Sequence, residues 1–478
     1  MENIFSFDRI LNLFEKVASI PHGSGNMTEI SNFIVDFAKE NKLQYIKDNA
    51  ENVIVYKNGS QGYENAEPII LQGHLDMVCQ KTADSTIDFE KDGLELYTDG
   101  DFLKAKNTTL GADNGIAVAM ILSVLERDDI CHPPIEAVFT TDEEIGMIGA
   151  SKLDFSLLKS KRMINLDSEE DDVITVSCAG GSDFKAYLPI VNKNVKGTKI
   201  KVTLKGLLGG HSGVEIDKGR INANRLAGRL LTSLSEIVDF DIVSINGGNK
   251  ANAIPNLCEI EFCTADKEKF SEIFQNYLSE IKNEISSRES GFDWCVETGD
   301  FGDYKVFSAE LKKDVIYALT VSPNGILQMS AEIENLVETS LNLGILKTCE
   351  DKVFLHYALR SNKASALKFL DKKMELFFSK IQCETESGGY YPPWEYKNDS
   401  TLREIYLNAY IEKFGKEPKI EAIHAGLECS VFASRIKDID CIAVGPTLYD
   451  VHTVNERMSI SSAKDIYELL VNVLKKCL

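Results

Sequence analysis

The chain has 478 residues, with 74 acidic against 52 basic side chains and a formal charge of −22. That balance repels phosphate backbones and anionic headgroups, which argues against nucleic acid and membrane surfaces as partners. Hydrophobic residues at 44% and charged residues at 26% are ordinary for folded domains, and at about 100–200 residues per domain the length predicts two or three of them.

Nowhere do about 18 uncharged apolar residues run together. The opening Met-Glu-Asn-Ile-Phe-Ser-Phe-Asp-Arg has neither the basic nor the apolar region of a leader, so the chain is expected in the cytoplasm. The eleven cysteines are scattered without a Cys-x-x-Cys pair and are expected as reduced thiols, mostly in the core.

In chain order, Ile10, Leu11, Leu13, Phe14 and Val17 give helical spacing over Phe7 to Ala18. Asn26 with Glu29 predicts a capping-box start to a second helix through Ile30, Phe33, Ile34 and Phe37. Strands are predicted at Asn52 to Tyr56, from Ile69 to Gln72, at Pro134 to Thr140 and at Arg162 to Leu166, with a buried helix over Gly111 to Leu125. Alternation of this kind implies an α/β fold, a mostly parallel mixed sheet flanked by helices, with ligand-bearing loops at the C-terminal strand ends.

From about residue 183 to 389 the texture shifts toward strands and amphipathic helices, predicting an inserted α+β domain. Strands at Lys199 to Leu204 and Cys258 to Cys263 flank a helix around Arg220 to Leu234, and a comparable strand-helix-strand order is read around Gly325 to Arg360, which allows two related halves. The α/β texture returns after Pro392-Pro393, with helices at Thr401 to Phe414 and Ser462 to Lys475 and strands at Lys419 to Ile423 and Ile439 to Val444. The expected division is therefore 1–182 and 390–478 as one domain, interrupted by 183–389.

The chemistry is read from the ends of these elements. His74-Leu-Asp76 lies just past a buried strand, where residues two apart point the same way, so an imidazole can bind a metal while the carboxylate takes the proton on its other nitrogen. Four acidic motifs follow: Gly111-Ala-Asp-Asn-Gly115, Thr140-Thr-Asp-Glu-Glu-Ile-Gly146, Ile164-Asn-Leu-Asp-Ser-Glu169 and Asp450-Val-His-Thr-Val-Asn-Glu456. One acidic loop is usually solvated surface, but a series after buried strands, with isolated histidines, points to a metal centre.

Together these motifs resemble the co-catalytic di-zinc metallopeptidase family that includes glutamate carboxypeptidase, succinyl-diaminopimelate desuccinylase and carnosinases. Gly209-Gly-His211-Ser-Gly213, Asn252-Ala-Ile-Pro255 and His424-Ala-Gly-Leu-Glu-Cys429 are most similar to the members that cleave Xaa-His dipeptides. The resemblance implies that Asp113 bridges two divalent ions, zinc first with cobalt and manganese as alternatives. His74 and Asp167 would complete one coordination sphere, and Glu144 and His452 the other. Glu143 would be the general base toward a metal-activated water, and Asp76 would orient His74.

In the inserted lid, His211 would donate to the oxyanion, while Asn252, Arg360 and Gly426 would receive the substrate's free carboxylate. The resemblance also implies a cis peptide at Asp113–Asn114, and because the groups it assigns are split between the outer segments and the inserted one, the lid is expected to close on a small peptide. At roughly 200 residues the lid is longer than the single lid of simpler relatives, whose histidine comes from a partner subunit. His211 then serves either its own chain or a homodimer. His22, His132, His356 and His424 are given no metal role: His424 lies within the carboxylate-side motif and is read as lining the pocket, the other three are read as loop or packing residues, and Gly247-Gly248 is read as a turn. The rival readings are an N-acyl-amino-acid deacylase or desuccinylase on the same metals and a non-catalytic peptide-binding scaffold.

Overall fold

The computed structural model describes residues 7–478; the first six residues of the stretch read for a leader lie outside the described residues. It divides into two compact units, one of 1–178, 396–422 and 427–478 and the other of 179–395 and 423–426. The boundaries expected at 182 and 389 thus fall at 178 and 395, and the excursion of 423–426 into the second unit was not foreseen. Among the described residues no helix is long and apolar enough to cross a membrane. Six of the eleven cysteines are buried: Cys178, Cys258, Cys263, Cys429, Cys441 and Cys477.

The first unit is built on an eight-stranded mixed sheet. Its centre is parallel, with Ile135–Thr140, Ile69–His74, Arg162–Asn165 and Asp440–Ala443 side by side. Antiparallel pairs flank that centre on both sides. Strand Ile69–His74 is buried along its whole length, as its unbroken apolar start requires of a strand covered on both faces. Helix Ala112–Glu126, apolar all round and buried at nearly every position, packs on that strand and on helix Asp8–Ala18. The second helix starts at Thr28 with no side-chain cap, so the capping box expected at Asn26 does not form; the Asn26 amide reaches the Glu90 carbonyl instead, at 3.5 Å.

The second unit holds a nine-stranded sheet with antiparallel pairing throughout. It consists of two runs that share one element order, strand-helix-strand-strand-helix-strand. The first comprises Asn192–Lys205, Ala223–Ser235, Asp241–Gly247, Cys258–Thr264, Lys267–Ile285 and Asp293–Phe307. The second comprises Gly180–Pro189, Ala309–Val321, Val337–Thr348, Lys352–Ser361, Ala364–Phe378 and Glu384–Tyr391, with Gly325–Met329 added at the edge. Numbered within its own run, each set of strands lies side by side in the order 4-1-3-2, and the runs meet where Asn246 and Gly247 pair with Lys347 and Leu346. The first run is threaded between the first strand and first helix of the second. The strand-helix-strand order expected over Gly325 to Arg360 is corrected, because that span holds three strands and no helix. Apolar faces of the four helices and the sheet merge in one core containing Phe262, Phe270, Leu319, Tyr357 and Phe378.

Candidate metal centre

Parallel strands in one direction deliver their following loops to one edge of the sheet, and the acidic motifs occupy that edge. His74 ends strand Ile69–His74, Glu143 and Glu144 follow Ile135–Thr140, Asp167 follows Arg162–Asn165, and Asp113 lies in the first turn of helix Ala112–Glu126. The Asp113–Asn114 peptide is cis, as the resemblance implies.

Asp113 faces two histidines with two different oxygens. Its Oδ1 lies 3.1 Å from His74 Nε2 and its Oδ2 lies 3.1 Å from His452 Nε2. His74 Nε2 is also 3.5 Å from Asp167 Oδ1, and His452 Nε2 is 2.8 Å from Glu144 Oε1. Ligand-type atoms thus gather in the groups His74–Asp113–Asp167 and Asp113–Glu144–His452, each within 4.8 Å, with Asp113 common to both. A third group of the same tightness, His74–Glu143–Glu144, includes the expected base, so proximity alone does not separate it from the ligands.

Charge is out of balance in this cluster. Burial, with Asp167, Glu428 and Glu144 nearby, holds the Glu143 carboxyl well above the usual carboxylate range. Asp167 is likewise raised by burial, against the pull of His74. Hydrogen bonds to Asp113 and Glu144 push His452 up to about 11. Buried carboxylates that hold both histidines in their protonated form are a donor set suited to cations, which would take the protons' place.

His74 Nδ1 lies 3.0 Å from the Asp76 carbonyl oxygen and 3.5 Å from the Asp76 carboxylate. The nearer acceptor is therefore the backbone and not, as expected, the side chain; either way Nδ1 carries the proton and Nε2 is left to coordinate. The Asp76 carboxylate instead accepts from Ser24 Oγ at 2.8 Å and from the backbone N–H groups of Glu143 at 2.9 Å and Glu144 at 3.2 Å. It fixes the loop that carries the base.

Three buried residues stand inside motifs singled out in the sequence, yet their side chains were given no role there: Asn114, Glu428 and Glu456. Asn114 joins two ligand-bearing strand ends. Glu428, fully buried, receives Thr140 Oγ1 at 2.6 Å and Gln72 Nε2 at 2.5 Å, and burial pushes its carboxyl up to about 7. Glu456 receives backbone N–H groups from the turn before Asp113. Both glutamates stand inside motifs already singled out, and position within a motif was the available signal.

The remaining candidates lie in the second unit. His211 is half-buried in a short ladder opposite Ala253. Its Nδ1 accepts the N–H groups of Gly213 and Val214, each at 3.2 Å, which leaves Nε2 as the protonated nitrogen. Burial and the neighbouring Arg360 charge hold it down to about 4, so it is a neutral donor. Arg360, 8% exposed, is the penultimate residue of strand Lys352–Ser361. Its Nη1 donates to Tyr391 Oη at 2.9 Å, and among the described residues its buried Nε has no partner and it makes no ion pair. Gly213 is where these groups converge, since a Cβ there would lie 2.4 Å from the His424 carbonyl, 2.9 Å from His211 Cε1 and 3.2 Å from Arg360 Nε.

Gly426 belongs to the excursion 423–426, which is anchored by His424. That imidazole meets Ser340 Oγ at 2.7 Å and Asn362 Oδ1 at 3.1 Å, so both its nitrogens are engaged. Asn252 is exposed, and its carbonyl accepts from Ser212 N at 2.9 Å. His22 and His132 bond to nearby carbonyls, and His356 pairs with Asp183.

The description "Peptidase family M20/M25/M40" matches residues 70–476. The cytosol non-specific dipeptidase of Escherichia coli (strain K12) is 36% identical over 469 residues, covering 97% of this chain and 96% of its own. The aminoacylhistidine dipeptidase of Vibrio alginolyticus superposes with a TM-score of 0.89 at 35% identity, covering 99% of this chain and 97% of that one. Aminopeptidase PepT of Bacillus cereus, at 15% identity and a TM-score of 0.59 over 99% of this chain and 100% of its own, shares the fold. The chain belongs to peptidase family M20/M25/M40 and is a hydrolase acting on peptide bonds.

Proposed function

We propose that this protein is a cytoplasmic dipeptidase that hydrolyses dipeptides bearing a free α-carboxylate, Xaa-His among them, on a pair of divalent cations. The observation that carries the proposal is the Asp113 carboxylate, whose two oxygens face His74 and His452 separately. His74, Asp113 and Asp167 would hold one cation and Asp113, Glu144 and His452 the other; zinc, cobalt and manganese all suit imidazole with carboxylate. Such ions supply Lewis acidity toward the scissile carbonyl and bring the pKa of a water toward ~7.

The protein's own groups do the rest. Glu143, held by Asp76 through its backbone N–H, takes the proton from the attacking water and passes it to the leaving amine. His211, neutral with its Nε2–H free, donates to the oxyanion, where a positioned donor is typically worth ~10²–10³ in rate. Arg360, with a buried Nε lacking a partner among the described residues, takes the substrate carboxylate, assisted by Asn252 and Gly426. Support for the substrate class comes from the dipeptidases that the chain resembles, one named non-specific and one named for aminoacylhistidine. The cytosol in one relative's name supports the compartment.

The deciding experiment reconstitutes the protein with zinc, cobalt or manganese in turn and offers Ala-His, carnosine, dipeptides without histidine, and N-acetyl and N-succinyl amino acids. Release of two free amino acids from the dipeptides is expected. Release of acetate or succinate alone would replace this reading with that of a deacylase.

A further inference from the structure

Glu456 is 3% exposed, and its carboxylate is surrounded by main-chain donors. Oε2 accepts from Leu110 N at 2.8 Å and Gly111 N at 3.2 Å. Oε1 accepts from Ala112 N at 2.9 Å and Asp113 N at 3.5 Å. These N–H groups stand at the start of helix Ala112–Glu126, where no earlier carbonyl of the helix can reach them and where the macrodipole favours an anion. Gly111, the residue before the helix, has φ 67° and no side chain to cap it. The cap therefore comes from 343 residues further along the chain.

The other end of Glu456 is as well fixed. Its N–H donates to Thr453 O at 3.1 Å, closing a turn next to His452, and His452 Nε2 faces Asp113 Oδ2. One side chain thus ties the segment of His452 to the turn of Asp113.

We infer that Glu456 is a positioning residue for the metal centre: its carboxylate sets the Asp113 carboxylate in register with His452, so that a cation can be held between them. This rests on the proposed ligand roles of Asp113 and His452. Both oxygens are needed as acceptors, because each of them takes two of the four N–H groups. An amide in that place would turn an N–H toward one pair of them, and a shorter carboxylate would reach only one pair.

The test measures cobalt(II) binding to apoprotein by chelator competition and by visible absorption, with circular dichroism and the thermal midpoint of each apoprotein as controls. Native protein, E456Q, E456D and D113N are compared. Partners that orient metal ligands typically change affinity 10–100-fold. E456Q is therefore expected to keep a native-like apoprotein spectrum while binding cobalt at least ~10-fold more weakly, with an altered absorption band. E456D should fall on the same side. Should E456Q not fold, E456D, which keeps the charge, decides alone. If cobalt affinity and absorption in the folded variant match the native protein while D113N loses the metal, Glu456 has no positioning role. If D113N binds cobalt as the native protein does, the ligand assignment itself fails and takes this inference with it.

Discussion

Asn114 Oδ1 accepts the backbone N–H of His74 at 3.2 Å, while its Nδ2 donates to Leu166 O at 2.8 Å. One buried amide thus joins the helix of Asp113 to the strand end of His74 and the loop of Asp167. Gly73 is glycine for the same reason, since a Cβ there would lie 2.5 Å from Asn114 Oδ1. Asn114→Ala strands two buried main-chain groups at about 1–3 kcal/mol each. The expected result is a thermal midpoint lowered by several degrees and weaker metal binding; Asn114→Asp, which keeps the acceptor and loses the donor, should fall between.

Glu143→Gln should lower turnover at least ~10²-fold while both cations stay bound, because a base acts on water and not on metal. Elemental analysis of the purified variant checks this. Loss of an equivalent would move Glu143 into the ligand set with which it is clustered.

Asp113→Ala should lose metal at both positions together, because two ligand groups share that one carboxylate. Replacing Asp167, which belongs to one group alone, should leave about one equivalent of metal per chain. Equal retention in the two variants contradicts a bridging role.

Amidating the C-terminus of a dipeptide removes a charge-assisted bond of about 1.5–3 kcal/mol and leaves the Arg360 guanidinium without its anion. A fall of at least ~10-fold in kcat/KM is expected. Arg360→Ala should erase most of the difference between free and amidated substrates. Equal rates on both by the unaltered enzyme would remove the carboxylate clamp and the dipeptidase reading with it.

Burial, then the Arg360 charge, holds His424 down to about 3, against about 6.5 when unfolded. Between those values the unfolded chain binds more protons, so stability is full above about pH 6.5 and is lost as the pH falls toward 3. His424→Asn should flatten that loss by up to about 1.4 kcal/mol per pH unit. Urea midpoints at pH 7.5 and 5 give the comparison; an unchanged difference between the two would mean that His424 does not contribute.

The sequence determined the local chemistry. An unbroken apolar run ending in His74, an apolar helix after Gly111 and acidic residues just past strand ends are short-range patterns, and burial reads directly from them. The tertiary structure decided what depends on separate segments meeting. That His74 and His452 address different oxygens of Asp113 follows from folding distant segments onto one sheet edge. No periodicity announces a buried glutamate whose partners are main-chain amides 343 residues away, because a backbone N–H has no side-chain signature. The nested runs of the second unit were obscured for a related reason. Strand order belongs to the hydrogen bonds between strands, and helix Ala309–Val321 follows the first run in sequence although it is the first helix of the second.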